Sequence, residues 1–163
     1  MSQPNALSRA LAATKNLPAP LRRVLVSRMF GLRVKFAGTG GVRIDEAEEG
    51  RAVLSMRNRR RVQNHIGGIH GAAMGLLAES ATGFVFGMSL PDSRIPLVKR
   101  MNIDYVKRAQ GDLRAEATLD EAVRGRMQTD EKGDAVVAVK VTDEAGNEPI
   151  RCEIVWAWVP KKR

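Results

Sequence analysis

Asn64, His65, His70, Gly71 and Glu79 fall within the stretch NHIGGIHGAAMGLLAESATG, which runs from Asn64 to Gly83. Both histidines of the chain are in it. A glycine-rich turn that runs into a helix leaves unpaired backbone N–H groups at the helix N-terminus. Such groups hold an anion, or an oxygen on which negative charge develops during a reaction. Glu79 lies among Leu76, Leu77, Ala78 and Ala81. A carboxylate in apolar surroundings is costly to ionise, so its pKa rises, and groups of this kind collect at functional sites. Two ordinary roles remain open for it: pairing with one of the many arginines, or reaching solvent.

Other chemistries fit these residues poorly. The histidines are five apart, not the three or four that share a helix face, and no further His or Cys cluster accompanies them, so no metal site is expected. A Walker-type phosphate loop needs Lys-Ser or Lys-Thr after its glycines, whereas Gly71 is followed by Ala72 and Ala73. Ser80 beside Glu79 in a helix is not the strained elbow of a serine nucleophile.

The elements that must position these residues follow from the hydrophobic pattern. His70 to Met88 is long, apolar nearly all round and rich in Ala, Leu and Met, which reads as a helix buried on most faces. Gly75, Gly83 and Gly87 weaken it by about 0.8–1.0 kcal/mol each relative to Ala, so they read as points of close approach to a neighbouring element. Ahead of it, Gly41–Ala47 and Arg51–Asn58 alternate as strands, with EAEEG as their turn and RNRRRVQN as a basic loop. After it come a strand from Leu97 to Val106, in which Leu97, Lys99, Met101, Ile103 and Tyr105 share a face, and another through Leu113, Ala115, Ala117 and Leu119. Asp120–Asp134 is polar and reads as a surface segment with a short helix. Ala135–Thr142 and Ile150–Val159 are the last strands. This order of β-β-α-β-β-β-β defines an α+β domain, a long central helix wrapped by an antiparallel sheet.

Ahead of that domain, residues 1–33 read as an N-terminal helical extension of a main domain at 34–163. Ala6–Asn16 forms one helix, Pro18 and Pro20 break it, and Leu21–Phe30 forms a second with Leu21, Val24, Leu25 and Met29 at helical spacing. These read as caps packed on the main domain. Contact of a basic amphipathic helix with a membrane, or a transit peptide, is the lesser alternative.

A chain of 163 residues suits one domain with a real core. Its single cysteine, Cys152, cannot form an internal disulfide and fits a reducing compartment such as the cytoplasm. No apolar run is expected to span a bilayer, and the polar N-terminus does not read as a secretory signal. The net charge of +9 and pI of about 10.4 favour a polyanionic partner: nucleic acid, anionic membrane or a phosphorylated cofactor. An aromatic content of 4% disfavours single-strand nucleic-acid binding, which uses stacking platforms, and no nucleic acid is expected.

Helix geometry adds a constraint. At about 100° per residue, the nine positions from His70 to Glu79 turn roughly 900° and leave them on opposite faces. If the helix start and Glu79 serve one site, a second copy of the chain must supply one of them.

The spacing N-x5-HG-x7-E, formed by Asn64, His70, Gly71 and Glu79, resembles the signature of hotdog-fold acyl-CoA thioesterases, in the branch of the phenylacetate-pathway enzymes. MNIDYVKRAQGD is similar to that family's strand and turn after the helix, and the resemblance runs from about Val34 to Val159. It implies a hotdog fold and a homodimer or homotetramer with shared active sites. The Gly71 N–H would hold the thioester carbonyl oxygen and His70 would orient the turn. Glu79 of a second chain would activate water or attack directly, and Asn64 would position water or substrate. No cofactor is implied, since coenzyme A belongs to the substrate. Arg59, Arg60, Arg61, Lys99, Arg100, Lys107 and Arg108 are the candidates for its phosphates, although a solvated charged face is the ordinary role of such residues. Ala72 stands where the family has a second glycine, and Glu79 where the nearest branch has Asp.

Two rival readings accompany this one. Hotdog dehydratases and hydratases use a His and an acid on a similar helix, and in the acyl-carrier-protein dehydratases the His precedes the Glu by fourteen positions, as His65 precedes Glu79. Their Phe-Pro-Gly and Met-Pro-Gly segments are absent. The other rival is a non-catalytic acyl-CoA-binding or basic interaction protein, which the pI favours and the placed Glu79 does not.

Overall fold

Helix α4 (Gly71–Ser89) organises the molecule, and a six-stranded antiparallel sheet wraps around it. The structure is a computed structural model and describes residues 5–161. In sequence, α1 (Ala6–Ala13), α2 (Ala19–Arg33) and α3 (Lys35–Gly40) precede β1 (Arg43–Glu48) and β2 (Arg51–Met56). A 3-10 turn (Arg60–Val62) leads to α4. Then follow β3 (Arg94–Tyr105), β4 (Leu113–Thr118), α5 (Glu121–Thr129), β5 (Gly133–Asp143) and β6 (Ile150–Pro160). The sheet order is β1-β2-β4-β5-β6-β3, so β1 and β3 are its edges.

Helix α4 is buried on most sides because Leu77, Ala78, Ala81, Val85 and Phe86 all lack solvent contact. By length and composition it could cross a bilayer, contrary to the expectation that no apolar run comes near that length. Here the sheet covers it as a core helix. The glycines divide. A Cβ on Gly75 would lie 3.0 Å from Ile103 Cδ1, and one on Gly83 would lie 2.6 Å from the Trp156 ring, so both mark the close approaches expected of them. Gly87 does not: its nearest neighbour would be Leu7 Cδ2 at an ordinary 3.9 Å.

Strand β3 departs from simple alternation. Its pairing with β6 shifts between Val98 and Arg100, so Lys99 is bulged. Cross-strand partners show that Pro96 and Val98 share a face with Met101, Ile103 and Tyr105. The expected placement of Leu97 and Lys99 on that face is overturned, because a bulge inverts alternation on one side of it. Pro96 is tolerated at a sheet edge, where a missing N–H costs no ladder bond.

The N-terminal helices are tied down by specific contacts. Asn5 caps α1, accepting from the Ser8 N–H at 2.8 Å, and its side-chain amide donates to the Gly87 carbonyl at 2.6 Å. The same amide reaches the Met88 carbonyl at 3.2 Å, so it serves the carbonyls at the end of α4. On α2, the packed face is Val26 and Phe30, with Phe30 edge-on to Phe84 at 5.3 Å. Ser27 Oγ accepts from the Ile44 N–H at 2.9 Å. The expected cap face is therefore not the one that packs: Leu21, Val24, Leu25 and Met29 are exposed. Helical spacing located an apolar stripe but not which side of the helix met the domain. Helix α3 was not anticipated in its glycine-containing sequence. It packs on α2 where Gly31 and Gly38 meet backbone to backbone.

Candidate active site

The loop from Gln63 to Ile69, closed by a bridge between those two residues, delivers the chain to the start of α4. Asn64 builds it. Its side-chain oxygen accepts from the N–H groups of Ile66 and Gly68 at 3.0 and 3.1 Å, and its own N–H donates to the Gly68 carbonyl at 2.8 Å. The carboxamide oxygen is thus engaged, and only the NH2 remains to meet a ligand. The same loop exposes His65, which makes no side-chain hydrogen bond among the described residues.

His70 is the N-cap of α4. Its Nδ1 accepts from the Ala72 N–H at 3.1 Å, its carbonyl accepts from the Ala73 N–H at 2.9 Å, and its own N–H donates to the Val62 carbonyl at 2.8 Å. In the neutral ring this leaves the proton on Nε2. The next two amides being occupied, the Gly71 N–H is the one at this helix start without a partner among the described residues. Tyr105 covers it: a Cβ on Gly71 would lie 2.9 Å from the tyrosine ring and 3.2 Å from its hydroxyl. Only glycine leaves the space between that ring and the amide. Sequence reasoning put Tyr105 on a strand face without a role. The available signal was its position as the last residue of the strand after the helix.

Glu79 is half-buried and makes neither an ion pair nor a side-chain hydrogen bond among the described residues. Burial raises its carboxyl above the usual carboxylate range. Of the two ordinary roles left open for it, an arginine partner is not found among the described residues, while its half-buried carboxyl still reaches solvent in part. The adjacent Ser80 hydroxyl is buried without a partner.

The distance between the two unpartnered groups is set by helix geometry. The donor is Gly71 rather than His70, so the relevant interval is eight residues. Those eight residues turn only about 80° beyond full circles but rise about 12 Å. Axial separation, more than opposed faces, keeps the Gly71 N–H and the Glu79 of one chain apart. A base must come within about 2.6–3.2 Å of the proton it takes, or reach it through one water.

Two cavities bear on ligand binding, one of them against α4. One, of about 550 Å³, is mostly apolar and lies between α4 and the N-terminal helices. Gly83, Phe84 and Gly87 line it with Leu7, Leu11, Met29 and Phe30. Gly83 is one turn beyond Glu79 on the same helix stripe. The other, of about 740 Å³, lies between α2, α3, β1 and the basic loop. Of the phosphate candidates, Arg59 and Arg61 line it and Arg60 does not. The remaining candidates stand elsewhere and are engaged: Lys99 pairs with Asp134, Arg100 with Glu153 at 2.6 Å, Lys107 bonds Asn147 Oδ1 at 2.7 Å and Arg108 the Ile66 carbonyl at 3.3 Å. Cys152 is not a competing nucleophile, since burial, then the Asp104 carboxylate, pushes its thiol up to about 11. Among the described residues no three His, Cys, Asp or Glu side chains cluster as metal ligands.

Residues 22–159 match the family described as Domain of unknown function (DUF4442), and the chain belongs to that family. No curated protein matches it by sequence. Solved structures do. A Pseudomonas aeruginosa protein described as of unknown function and a probable thioesterase is 26% identical, with a TM-score of 0.74, covering 89% of this chain and 97% of its own. A Staphylococcus aureus thioesterase is 23% identical, with a TM-score of 0.67 and coverage of 77% and 99%. That protein was solved as variants in which a glutamine and, fifteen positions later, a glutamate were each replaced by alanine. A Haemophilus influenzae thioesterase is 13% identical, with a TM-score of 0.66 and coverage of 98% and 94%. The fold is the hotdog fold of these thioesterases.

Proposed function

We propose that this protein is a thioester hydrolase acting on acyl-CoA thioesters, with each active site assembled from two copies of the chain. The observation that carries the reading is the pair of unpartnered groups on α4: an amide that can receive a developing oxyanion, and a desolvated carboxylate that can take a proton, about 12 Å apart along one helix. The Staphylococcus aureus thioesterase supports it, since Asn64 and Glu79 are also fifteen positions apart.

The partner required by that distance has a surface to meet. Strand β3 is a long sheet edge whose Leu97, Val98, Met101 and Tyr105 are exposed. An unpaired apolar edge is suited to join the same edge of a second copy about a two-fold axis. Gly75 and Tyr105 lie along the α4–β3 seam, so such pairing brings a second α4 toward the first.

In the reaction, the Gly71 N–H of one copy holds the thioester carbonyl oxygen. Glu79 of the other copy takes a proton from water, and the water oxygen bonds to the carbonyl carbon. The tetrahedral intermediate expels the thiolate as the C–S bond breaks, and the proton held by Glu79 passes to sulfur. His70, by occupying the Ala72 and Ala73 amides, aims the free Gly71 amide outward. The Asn64 NH2 and the Tyr105 hydroxyl are the neighbouring donors. The apolar cavity one turn beyond Glu79 suits the acyl group, and no cofactor is needed.

Mixing Glu79→Gln with Gly71→Pro tests the assembly, since proline suits the first helical position yet removes the N–H and crowds Tyr105, so that half of the site is lost on one copy only. Each variant alone is inactive. Exchange of subunits between them restores hydrolysis of an acyl-CoA panel, because the mixed dimer holds one intact site. Mixtures as inactive as their components, under conditions where light scattering shows exchange, would sink the shared site.

A further inference from the structure

The cavity between α2, α3, β1 and the basic loop carries six cationic side chains on its walls, Arg28, Lys35, Arg43, Arg57, Arg59 and Arg61, and no acid. None of the six forms an ion pair or a side-chain hydrogen bond among the described residues, whereas Arg51, Lys99, Arg100, Arg114, Arg124 and Lys140 all have carboxylate partners. Like charges converging on one space repel, and an anion placed among them relieves the repulsion. We propose that this cavity seats the 3′-phosphate and pyrophosphate of a coenzyme A thioester, an assignment that rests on the thioesterase reading above.

Four features support a shaped site rather than a diffuse basic face. Its volume of about 740 Å³ falls within the range of small-molecule sites, about 300–1,000 Å³. Glycine shapes its wall: Gly41 adopts φ +71°, a conformation that favours glycine, and the Arg61 guanidinium comes up against that backbone. Gly31 and Gly38 allow α2 and α3 to approach closely enough to bring Arg28 and Lys35 to the same space. Finally, Arg61 adjoins Val62, whose carbonyl holds the His70 N–H at 2.8 Å. Arg61 on the cavity wall is thus next in the chain to the residue that anchors the helix start. A thioester carbonyl at Gly71 and a nucleotide in the cavity would be joined by the pantetheine arm.

The composition of the walls selects against other polyanions. No aromatic side chain lines the cavity, so successive bases of a nucleic-acid strand find no stacking platform. The six charges surround a single recess, which matches several phosphates clustered on one small molecule. The assignment also gives the N-terminal extension a role, since Arg28 and Lys35 come from α2 and α3. It accounts for a basic excess that begins before the first acid at Asp45.

The test is calorimetric titration of the full chain with adenosine 3′,5′-bisphosphate, for wild type, the double variant Arg28→Gln/Arg59→Gln, and the control Arg114→Gln/Lys140→Gln, whose paired charges lie on β4 and β5, away from the β3 edge. Wild type binds, and binding weakens as salt rises. The double variant loses at least about tenfold, the size of one lost charge-assisted contact of about 1.4 kcal/mol, and the control binds like wild type. In kinetics, the preference for a CoA thioester over the matching N-acetylcysteamine thioester falls by the same factor in the double variant only. No binding to wild type, equal binding to the double variant, or equal loss in the control overturns the proposal. So does competition by inorganic phosphate as effective as the bisphosphate, or capture of the protein by anionic vesicles through these residues in place of nucleotide binding. The two readings fail separately. Bisphosphate binding without hydrolysis of any thioester would remove the hydrolase and leave the cavity. Hydrolysis with an unchanged preference in the double variant would remove the cavity and leave the hydrolase.

Discussion

Two charged regions of this molecule use the same residue types to opposite effect. On the outer face of the sheet, Arg100 lies 2.6 Å from Glu153, Lys99 pairs with Asp134, and Arg51 bridges Glu46 and Glu116, both at 2.7 Å. Those carboxylates hold the Arg51 guanidinium firmly in its charged form. Arg51 and Arg114 keep the Glu116 carboxyl below its usual range. By contrast, Glu79 on α4 and the six cations of the cavity beside α2 and α3 have no partners among the described residues. Paired charges cancel one another's field and leave little for a ligand. Unpaired ones retain it, and a fold that leaves them so forgoes a satisfied contact at each. The contrast separates a net charge of +9 into a part that belongs to the surface and a part available for recognition.

Breaking the unpaired set should cost function, and breaking the paired set should cost little. Glu79→Gln is expected to lower kcat by about 10²–10⁴-fold, the usual worth of a positioned base, measured on acyl-CoA substrates in steady state. Its fold should persist. Because burial raises the folded-state pKa of Glu79 above its unfolded value, the ionised carboxylate opposes folding as pH rises past the ordinary glutamate range. Glu79→Gln and wild type should therefore melt alike at low pH, with the variant gaining relative stability toward neutral pH. A variant that instead loses stability at neutral pH would place Glu79 among the paired, structural charges. In wild type, kcat/KM should fall on the acid side with an apparent pKa above the ordinary glutamate value of about 4.3. A limb at or below that value would mean that Glu79 is not the desolvated base.

Gly71→Pro should cost at least about 10²–10³ in rate, the typical loss of one oxyanion donor, with the crowding of Tyr105 by the proline ring added to it. Unchanged kcat would move the oxyanion contact to Tyr105 or Asn64. Glycines of α4 provide a sharper comparison within one helix. Gly83→Ala drives a methyl into Trp156 and should destabilise by about 1–3 kcal/mol. Gly87→Ala has room and should stabilise by about 0.5–1 kcal/mol. Thermal melts of the two variants give the sign directly. The smallest effect is expected on the sheet face away from β3, where Arg114→Ala should change stability by about 0–1 kcal/mol and leave kcat/KM as it is. A large kinetic effect there would place a paired charge in the working set.

Much of this could be read before the structure. The succession of strands along the chain before and after one long helix followed from alternation on either side of an apolar run too long for a strand, though their order in the sheet did not. Glu79 stood out because its neighbours are apolar, and Gly71 because it opens that run. The face of α2 that packs was not legible, since Leu21, Val24, Leu25 and Met29 make a better apolar stripe than the Val26 and Phe30 that are used. The faces of β3 were not legible either, because a bulge at Lys99 has no marker in alternation. Tyr105 over Gly71, and Arg28 and Lys35 beside Arg59 and Arg61, join residues from separate elements whose distances in the chain say nothing of their distances in space.

By itself the amino-acid sequence determined which groups exist and the local frame that holds them: a glycine at a helix start, a carboxylate eight residues and about 12 Å farther along, and a surplus of cations concentrated early in the chain. These depend on backbone geometry and residue type, which are local. Only the tertiary structure decided which charges find partners. Pairing depends on what the fold brings within a few ångströms, and the packing of α2, α3 and the basic loop assembled six cations around one space without admitting an acid.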